Sequence, residues 1–143
     1  MQINIYSIEK KEDFKKEIEE FIKKSKPFAT INNYTFYSNK LAKSSNPQKE
    51  YSKLFAQKIN DGYNIILTPD GKLIDSFEFS KLLNHSKINF FIAGAYGFED
   101  EFKKNGINIS LSPLTMSHKI AKLVLFEQIY RGLCIKNSHP YHK

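Results

Sequence analysis

The chain has 143 residues, a length that suits one compact domain spanning residues 1–143. Hydrophobic residues make up 41% of the sequence, so a core can form and a disordered chain is excluded. The net charge of +7 favours a polyanionic partner, nucleic acid or an anionic membrane surface, although a lysine-rich surface that serves solubility explains it equally well. Arg131 is the only arginine among 22 basic residues, and lysines suit diffuse attraction to phosphate better than bidentate reading of bases.

The cysteine content and the N-terminus indicate the cellular compartment. Cys134 is the single cysteine, which excludes an internal disulfide and a cysteine-based zinc site and fits a reducing compartment. Because it lies in an apolar helical run, packing in the core is favoured over catalysis. The chain begins directly with a strand pattern, without a signal peptide, and no stretch is long enough to span a bilayer. We therefore expect a cytoplasmic protein.

Strand and helix patterns alternate in the first half of the chain. Gln2 to Ile8 predicts a strand, Lys10 to Lys24 an amphipathic helix and Phe28 to Tyr37 a second strand. Asn39 to Gln48 is polar and rich in turn residues, so we expect a mobile loop there. Apolar residues from Tyr51 to Ile59 mark the next helix.

The second half continues the alternation. Asn64 to Leu67 predicts a short strand that ends in the turn Thr68-Pro69-Asp70-Gly71. The next elements are a helix over Ser76–Leu83, a nearly all-apolar strand over Ile88–Ala93, a short helix over Phe98–Lys104 and a strand over Ile107–Leu111. This order of elements predicts an α/β fold, a parallel sheet flanked by helices.

The last helix differs from the others. Ser117 is expected to cap it, and it runs to about Cys134. Its apolar residues are distributed nearly all round, which indicates burial on several sides. In a domain of this size the pattern predicts a subunit interface.

Ligands of open parallel sheets bind beyond the carboxyl ends of the strands. Three such ends are distinctive: Leu67 with its turn, Gly94-Ala95-Tyr96-Gly97, and the loop from Leu111 to Met116. The two glycines permit close backbone approach, although a plain strand-to-helix turn explains them as well. Neither a GxGxxG nor a Walker A pattern is present. The third loop, which is apolar and nearly uncharged, suits an uncharged ring such as adenine.

Histidines are concentrated at the C-terminus, in His139-Pro140-Tyr141-His142. A metal site is disfavoured because no third ligand is evident and Pro140 opposes a helical His-x-x-His arrangement. Contact with RNA is the better functional hypothesis, since imidazole and phenol rings stack on bases. A frayed terminus is the structural alternative.

Three motifs together resemble the ribosomal RNA large subunit methyltransferase H family of the SPOUT class. The terminal Asn137-Ser138-His139-Pro140-Tyr141-His142-Lys143 is similar to the family's Asn-His-Pro-Tyr-His-Arg/Lys ending. Leu111 to His118 resembles its Leu-Ser-x-Leu-Thr-x-x-His loop, and Glu127 to Arg131 its Glu-x-Leu-Tyr-Arg helix. The glycine loop departs from the family's Gly-Gly-x-x-Gly pattern in two places. Ala93 replaces the first glycine, and Tyr96 replaces the acid often found before the last glycine.

The resemblance implies a deep C-terminal trefoil knot, which the rule against threaded loops would have rejected. It also implies a homodimer in which one subunit's tail completes the other's site, and a reaction that methylates N3 of a pseudouridine in the 23S rRNA of assembled ribosomes. No metal and no membrane are implied. The S-adenosyl-L-methionine contacts carried over are Leu67, Gly94, Gly97, Ser112, Pro113, Leu114, Thr115, Met116 and Ser117. The catalytic candidates are His118, Arg131, Tyr141 and His142.

Two other functions remain open at this point. A non-enzymatic RNA- or ribosome-binding protein with the same fold would not bind S-adenosylmethionine. A small-molecule methyltransferase would turn over without RNA, and it would leave the basic tail without a purpose.

Overall fold

The computed structural model describes residues 1–59 and 61–143. Strands and helices alternate along these residues, with one additional helix after the second strand. The elements are β1 (Gln2–Ile8), α1 (Lys15–Ser25), β2 (Thr30–Phe36), α2 (Asn39–Lys43), α3 (Pro47–Phe55), β3 (Tyr63–Leu73), α4 (Ser76–Leu82), β4 (Lys87–Ile92), α5 (Asp100–Lys103), β5 (Ile107–Ser110) and α6 (His118–Lys136).

The strands form one sheet in the order β2-β1-β4-β3-β5, and all the strand pairs are parallel. The predicted parallel sheet flanked by helices is therefore confirmed. Because the strands are parallel, their carboxyl ends all lie at one edge of the sheet. The segments that follow β3, β4 and β5 consequently emerge side by side.

Each face of the sheet has its own apolar core, because successive side chains of a strand point to opposite faces. On one face α1, α4 and α6 pack over Ile3 and Ile5 of β1 together with Phe90 of β4. On the other face α3 and α5 cover Ile66 and Phe91, with Phe55 at the centre of an aromatic cluster. On the first face, α6 lies against both α1 and α4.

A row of asparagines crosses the sheet near the amino-terminal ends of the strands. Asn32 donates to Asn4 over 3.0 Å, Asn4 donates to Asn89 over 3.0 Å, and Asn89 donates to Asn64 over 3.1 Å. Each linked pair is also a pair of partners in the strand register. The amides thus satisfy one another inside the sheet, as buried polar groups must.

The first predicted helix begins later than expected. The pattern predicted a start at Lys10, but α1 starts at Lys15 because Phe14 adopts a left-handed backbone with φ of 59°. A non-glycine residue in that conformation interrupts a helix. Just before it, Asp13 pairs with Lys119 at 2.6 Å, which ties this segment to α6.

Two loop predictions were also wrong. The polar stretch expected to be mobile contains the short helix α2, anchored by the buried side chain of Leu41. The turn expected at Thr68–Gly71 lies inside β3, where the pairing with β5 shifts register between Leu67 and Lys72. Gly71 explains why the strand can continue: a Cβ there would lie 2.6 Å from the carbonyl carbon of Ile109. The absent side chain lets the irregular strand stay close to its neighbour.

None of the helices in residues 1–59 and 61–143 is long and apolar enough to cross a membrane.

Candidate functional site

A cavity of about 540 Å³ lies at the carboxyl edge of the sheet, where the segments after β3, β4 and β5 meet. Its size falls in the range of small-molecule sites. All nine residues expected to contact a cofactor line it: Leu67, Gly94, Gly97, Ser112, Pro113, Leu114, Thr115, Met116 and Ser117. His118 lines it as well. The structure thus brings together residues as far apart in the chain as Leu67 and His118.

The segment after β4 approaches α3 closely at Gly94. A Cβ on Gly94 would lie 2.5 Å from the hydroxyl oxygen of Tyr51, so a larger residue fits there only if Tyr51 shifts. Gly97 closes the turn by donating its amide to the carbonyl of Gly94 over 3.2 Å, and its φ of 71° favours glycine. Tyr96 is two-thirds exposed, and its carbonyl accepts a hydrogen bond of 2.8 Å from the side chain of Gln48. This turn is therefore fixed from two sides.

Serine side chains shape the loop between β5 and α6. The hydroxyl of Ser112 accepts from the amide of Leu114 over 2.9 Å, and that of Ser110 donates to the carbonyl of Ser112 over 3.0 Å. Ser117 caps α6, as the sequence predicted, by accepting from the amide of Ile120 over 3.3 Å. The loop is thereby held in one path around the cavity.

His118 is the one titratable side chain among the described residues that line the cavity. Burial lowers the pKa of its imidazole below the usual value, while the carboxylate of Glu9 acts in the opposite direction. The ring is consequently neutral near pH 7 and has a nitrogen that can accept a proton. The site thus combines a largely apolar cavity with one weak base, His118, in its lining.

Glu9 and Lys122 form a buried ion pair that the sequence analysis missed. Oε2 of Glu9 lies 2.8 Å from Nζ of Lys122, and each side chain is 1% exposed. Glu9 directly follows β1, and Lys122 lies one helical turn after His118. Apolar periodicity gave no signal for this pair, because a lysine inside an apolar helix resembles an interruption of the pattern.

The other three catalytic candidates form a separate cluster around Glu127. Arg131 contacts Oε1 of Glu127 at 3.0 Å through Nε, and Tyr141 donates its hydroxyl to the same oxygen over 3.0 Å. Nη1 of Arg131 lies 3.1 Å from Nδ1 of His142, whose ring packs edge-on against Phe77 at 4.9 Å. Burial and the Glu127 hydrogen bond raise the pKa of Tyr141, so its phenol stays protonated and serves as the donor. We call these five residues the tail cluster.

The tail itself is packed. The amide of His139 donates to the carbonyl of Cys134 over 2.8 Å, and the ring of Tyr141 lies 4.7 Å from that of Tyr130. The last residues therefore turn back along α6. The interpretation of this segment as a frayed terminus is wrong.

The tail cluster and the cavity do not meet within the chain. Arg131 and His118 lie on the same helix, and its rise places about 20 Å between them. None of Arg131, Tyr141 and His142 lines the cavity. The structure therefore places His118 with the nine cavity residues and leaves the other three catalytic candidates elsewhere.

No group of three or more His, Cys, Asp or Glu side chains within the described residues is arranged to hold a metal ion. A second groove, of about 380 Å³, lies between α1 and the edge strand β2 and contains none of the sequence-predicted site residues. The cavity at the carboxyl edge is thus the place where His118 and the nine expected cofactor contacts converge.

Similarity to known proteins shows the class of protein to which the chain belongs. The model of the family described as "predicted SPOUT methyltransferase" matches residues 1–142. Relatives called ribosomal RNA large subunit methyltransferase H are similar over the whole chain. That of Nitratiruptor sp. is 50% identical over 99% of both chains, and that of Campylobacter concisus is 43% identical over 100% of both. The chain belongs to the ribosomal RNA large subunit methyltransferase H family of SPOUT methyltransferases.

Solved structures support the fold. A tRNA (m1G37) methyltransferase from Aquifex aeolicus superposes with a TM-score of 0.60 over 92% of this chain and 70% of its own, at 13% identity. A probable methylase family protein from Haemophilus influenzae Rd KW20 gives a TM-score of 0.60 over 99% of this chain and 70% of its own, also at 13% identity. At this identity the likeness concerns the arrangement of the backbone only.

Proposed function

We propose that the protein methylates N3 of a pseudouridine in 23S rRNA of the assembled ribosome, with S-adenosyl-L-methionine as the methyl donor. The observation that carries the proposal is the convergence of three strand-end segments on one apolar cavity with His118 at its rim, in a chain of this family. The names of the relatives, ribosomal RNA large subunit methyltransferase H, support an rRNA substrate. A cytoplasmic location, where ribosomes are found, belongs to the same proposal.

The cavity residues fit the proposed donor. The apolar floor of Leu67, Ile92 and Ile109 suits an adenine ring, and the closely packed Gly94 leaves the backbone accessible. The loop Ser112–Ser117 supplies backbone groups and small hydroxyls along one side. When bound, the donor supplies an electrophilic methyl group, so the protein has to supply orientation and a base.

In this proposal His118 accepts the proton from N3. The neutral imidazole would form a new N–H bond as the N3–H bond breaks. The electron pair left on N3 would form the bond to the methyl carbon while the bond from that carbon to the donor's sulfur breaks, its electron pair remaining on the neutral sulfur of the leaving group. The proton then leaves to solvent, which regenerates the neutral ring. The lowered pKa of His118 suits this role because the ring is unprotonated at the start of each cycle.

The tail cluster enters the proposal through a homodimer. Since about 20 Å of helix separates Arg131 from His118, a partner's tail is needed to bring Arg131, Tyr141 and His142 to a cavity. The widely apolar α6, with Ile120 40% exposed, provides a surface for such an interface. A trefoil knot formed by the C-terminal segments belongs to the same proposal.

The test is transfer of a tritiated methyl group to ribosomes from a strain that lacks the protein, compared with separate subunits and free RNA. Label at N3 of one pseudouridine in the assembled ribosome supports the proposal. Calorimetry with S-adenosylmethionine serves as the companion experiment. Absence of binding, with and without ribosomes, would instead indicate a ribosome-binding protein without catalytic activity.

A further inference from the structure

The buried pair of Glu9 and Lys122 lies beside the cavity but has no part in the function proposed so far. Both side chains are 99% removed from solvent. Withdrawing two charges from water costs more than most such pairs recover by attraction, so stability alone is weak grounds for keeping them. The position of the pair is informative, because Glu9 ends β1 at the same edge of the sheet and Lys122 follows Ala121, a cavity residue.

One oxygen of Glu9 remains without a partner. Oε2 accepts the hydrogen bond from Lys122, whereas the buried Oε1 accepts none from any residue that the structure describes. A buried carboxylate oxygen without a donor is uncommon in native proteins and calls for an explanation. A donor that reaches Glu9 in the working enzyme would provide one.

His118 is the nearby candidate donor, because it lies one helical turn before Lys122 on α6, and the partner of Lys122 is Glu9. Four charged groups act on the pKa of His118. They are Glu9 after β1, Asp13 before α1, and Lys119 and Lys122 on α6. Asp13 is paired with Lys119 at 2.6 Å, and Oε2 of Glu9 is paired with Lys122 at 2.8 Å. Each lysine therefore has its own carboxylate, which leaves Oε1 of Glu9 for the imidazole. Of the four charged groups, Glu9 has the largest effect on the pKa of His118, and it raises that pKa against the effect of burial.

We propose that Glu9 is a positioning residue for His118: Oε1 accepts a hydrogen bond from one ring nitrogen, which leaves the other nitrogen facing the cavity, and the carboxylate stabilises the imidazolium. Lys122 holds the carboxylate of Glu9 in place through their contact of 2.8 Å. A carboxylate that orients a histidine in this way selects its tautomer, since the nitrogen that donates to the carboxylate must carry the proton. The inference rests on the proposed function only in that His118 accepts the N3 proton.

Nuclear magnetic resonance of the full chain tests this directly. The ¹⁵N shifts of the His118 ring report its tautomer, and a pH titration reports its pKa. The variant Glu9→Leu/Lys122→Met removes both charges and retains apolar volume, so the fold is kept. We expect the His118 pKa to fall and the single tautomer to become a mixture. Lys122→Arg, which keeps the ion pair, is the matched control and leaves both readouts as in the wild type.

Asp13→Asn is the second control, because Asp13 is the other carboxylate that faces His118. Loss of its charge also lowers the His118 pKa, but we expect the tautomer to stay unchanged, because Asp13 is paired with Lys119. An unchanged pKa and tautomer in Glu9→Leu/Lys122→Met would overturn the proposal. So would an equal effect of Asp13→Asn, because the action of Glu9 would then be that of any nearby charge.

Methyl transfer to ribosomes gives the second readout. In Glu9→Leu/Lys122→Met we expect kcat to fall about tenfold at constant affinity for S-adenosylmethionine, with the acidic limb of the pH profile displaced to lower pH. A changed pKa with an unchanged rate and pH profile would overturn the positioning role. If the wild type transfers no methyl group to RNA, the proposed function fails, while the resonance data still decide whether Glu9 holds His118.

Discussion

Arg131 holds the carboxylate of Glu127 with two nitrogens, Nε at 3.0 Å and Nη2 at 2.6 Å from the same oxygen, Oε1. The two residues lie one turn apart on α6, and both are about three-quarters buried. Tyr141 adds a third hydrogen bond to that oxygen. The position of Tyr141 in the C-terminal tail thus depends in part on one atom of α6.

Glu127→Gln tests that dependence. The amide loses the charge that strengthens these bonds, and hydrogen bonds to a charged group contribute roughly 1.5–3 kcal/mol each. We expect methyl transfer to ribosomes to fall about tenfold or more while S-adenosylmethionine affinity stays within about twofold, because the cavity is not involved. Glu78→Gln, an exposed acid on α4, is the matched control. An equal loss of cofactor affinity would show that the tail also helps to bind the cofactor.

Mixing two inactive variants tests whether sites are shared between subunits. His118→Ala damages the cavity, and Tyr141→Ala damages the tail cluster. In randomly mixed dimers, a composite site predicts recovery to about a quarter of the wild-type rate, since half of the dimers contain one intact site. Each variant mixed with wild type controls for exchange of subunits. Two inactive proteins that stay inactive after proven exchange would argue against a shared site.

Gly94→Ala tests the packing beneath the cavity. The added methyl group meets the hydroxyl and Cζ of Tyr51, and overpacking of this kind costs about 1–3 kcal/mol. We expect a lower free energy of unfolding and weaker S-adenosylmethionine binding. In a Tyr51→Phe background the penalty should be smaller, because the nearest atom is gone. A double-mutant cycle measured by urea denaturation gives the coupling, and a value of zero would contradict the predicted contact.

The Glu9–Lys122 pair predicts an asymmetric effect on stability. Glu9→Gln leaves the ammonium of Lys122 buried without its counter-charge, which costs about 3–5 kcal/mol. Glu9→Leu/Lys122→Met removes both charges and should recover most of this loss. Urea unfolding followed by circular dichroism measures both free energies. A single variant as stable as the double variant would mean that water reaches Lys122.

Cys134 should be inert in the folded protein. Its side chain is fully buried, and burial raises the pKa of the thiol, so little thiolate forms even at pH 8. We expect labelling by a thiol reagent to be slower than in urea by about 100-fold or more, because reaction requires opening of the α6 packing. Rapid labelling of the native protein would show that α6 opens far more readily than its contacts imply.

Much of the fold follows from the sequence where patterns are local. The apolar runs of β1 and β4 and the Ser117 cap each depend on neighbouring residues, and the structure confirms all three. The burial of Cys134 was predictable for the same reason. Gly71 shows where prediction from local sequence fails. Pro-Asp-Gly favours a turn locally, whereas pairing with β5 keeps the segment in β3. That pairing involves a strand more than thirty residues away.

Some residues of the candidate site were likewise predicted from the sequence, and others were not. The residues of the cavity were named from motifs and from the rule that ligands bind at strand ends. The ion pair between Glu9 and Lys122 was not predicted, because it joins residues 113 positions apart and produces no periodic pattern in the sequence. Glu127 was named as part of the Glu127–Arg131 motif, but its role was missed, since a helical pattern does not show which side chains a distant segment covers. Its meaning depends on the tail that folds back over it.

The asparagine row has a consequence for how the chain finds its fold. Asn32, Asn4, Asn89 and Asn64 come from four strands that are far apart in sequence. A strand that paired one residue out of place would leave at least two buried amides without partners, and each costs roughly 1–3 kcal/mol. Correct alignment is therefore the arrangement in which the four amides match. The row of paired amides therefore favours the native strand register over a shifted one.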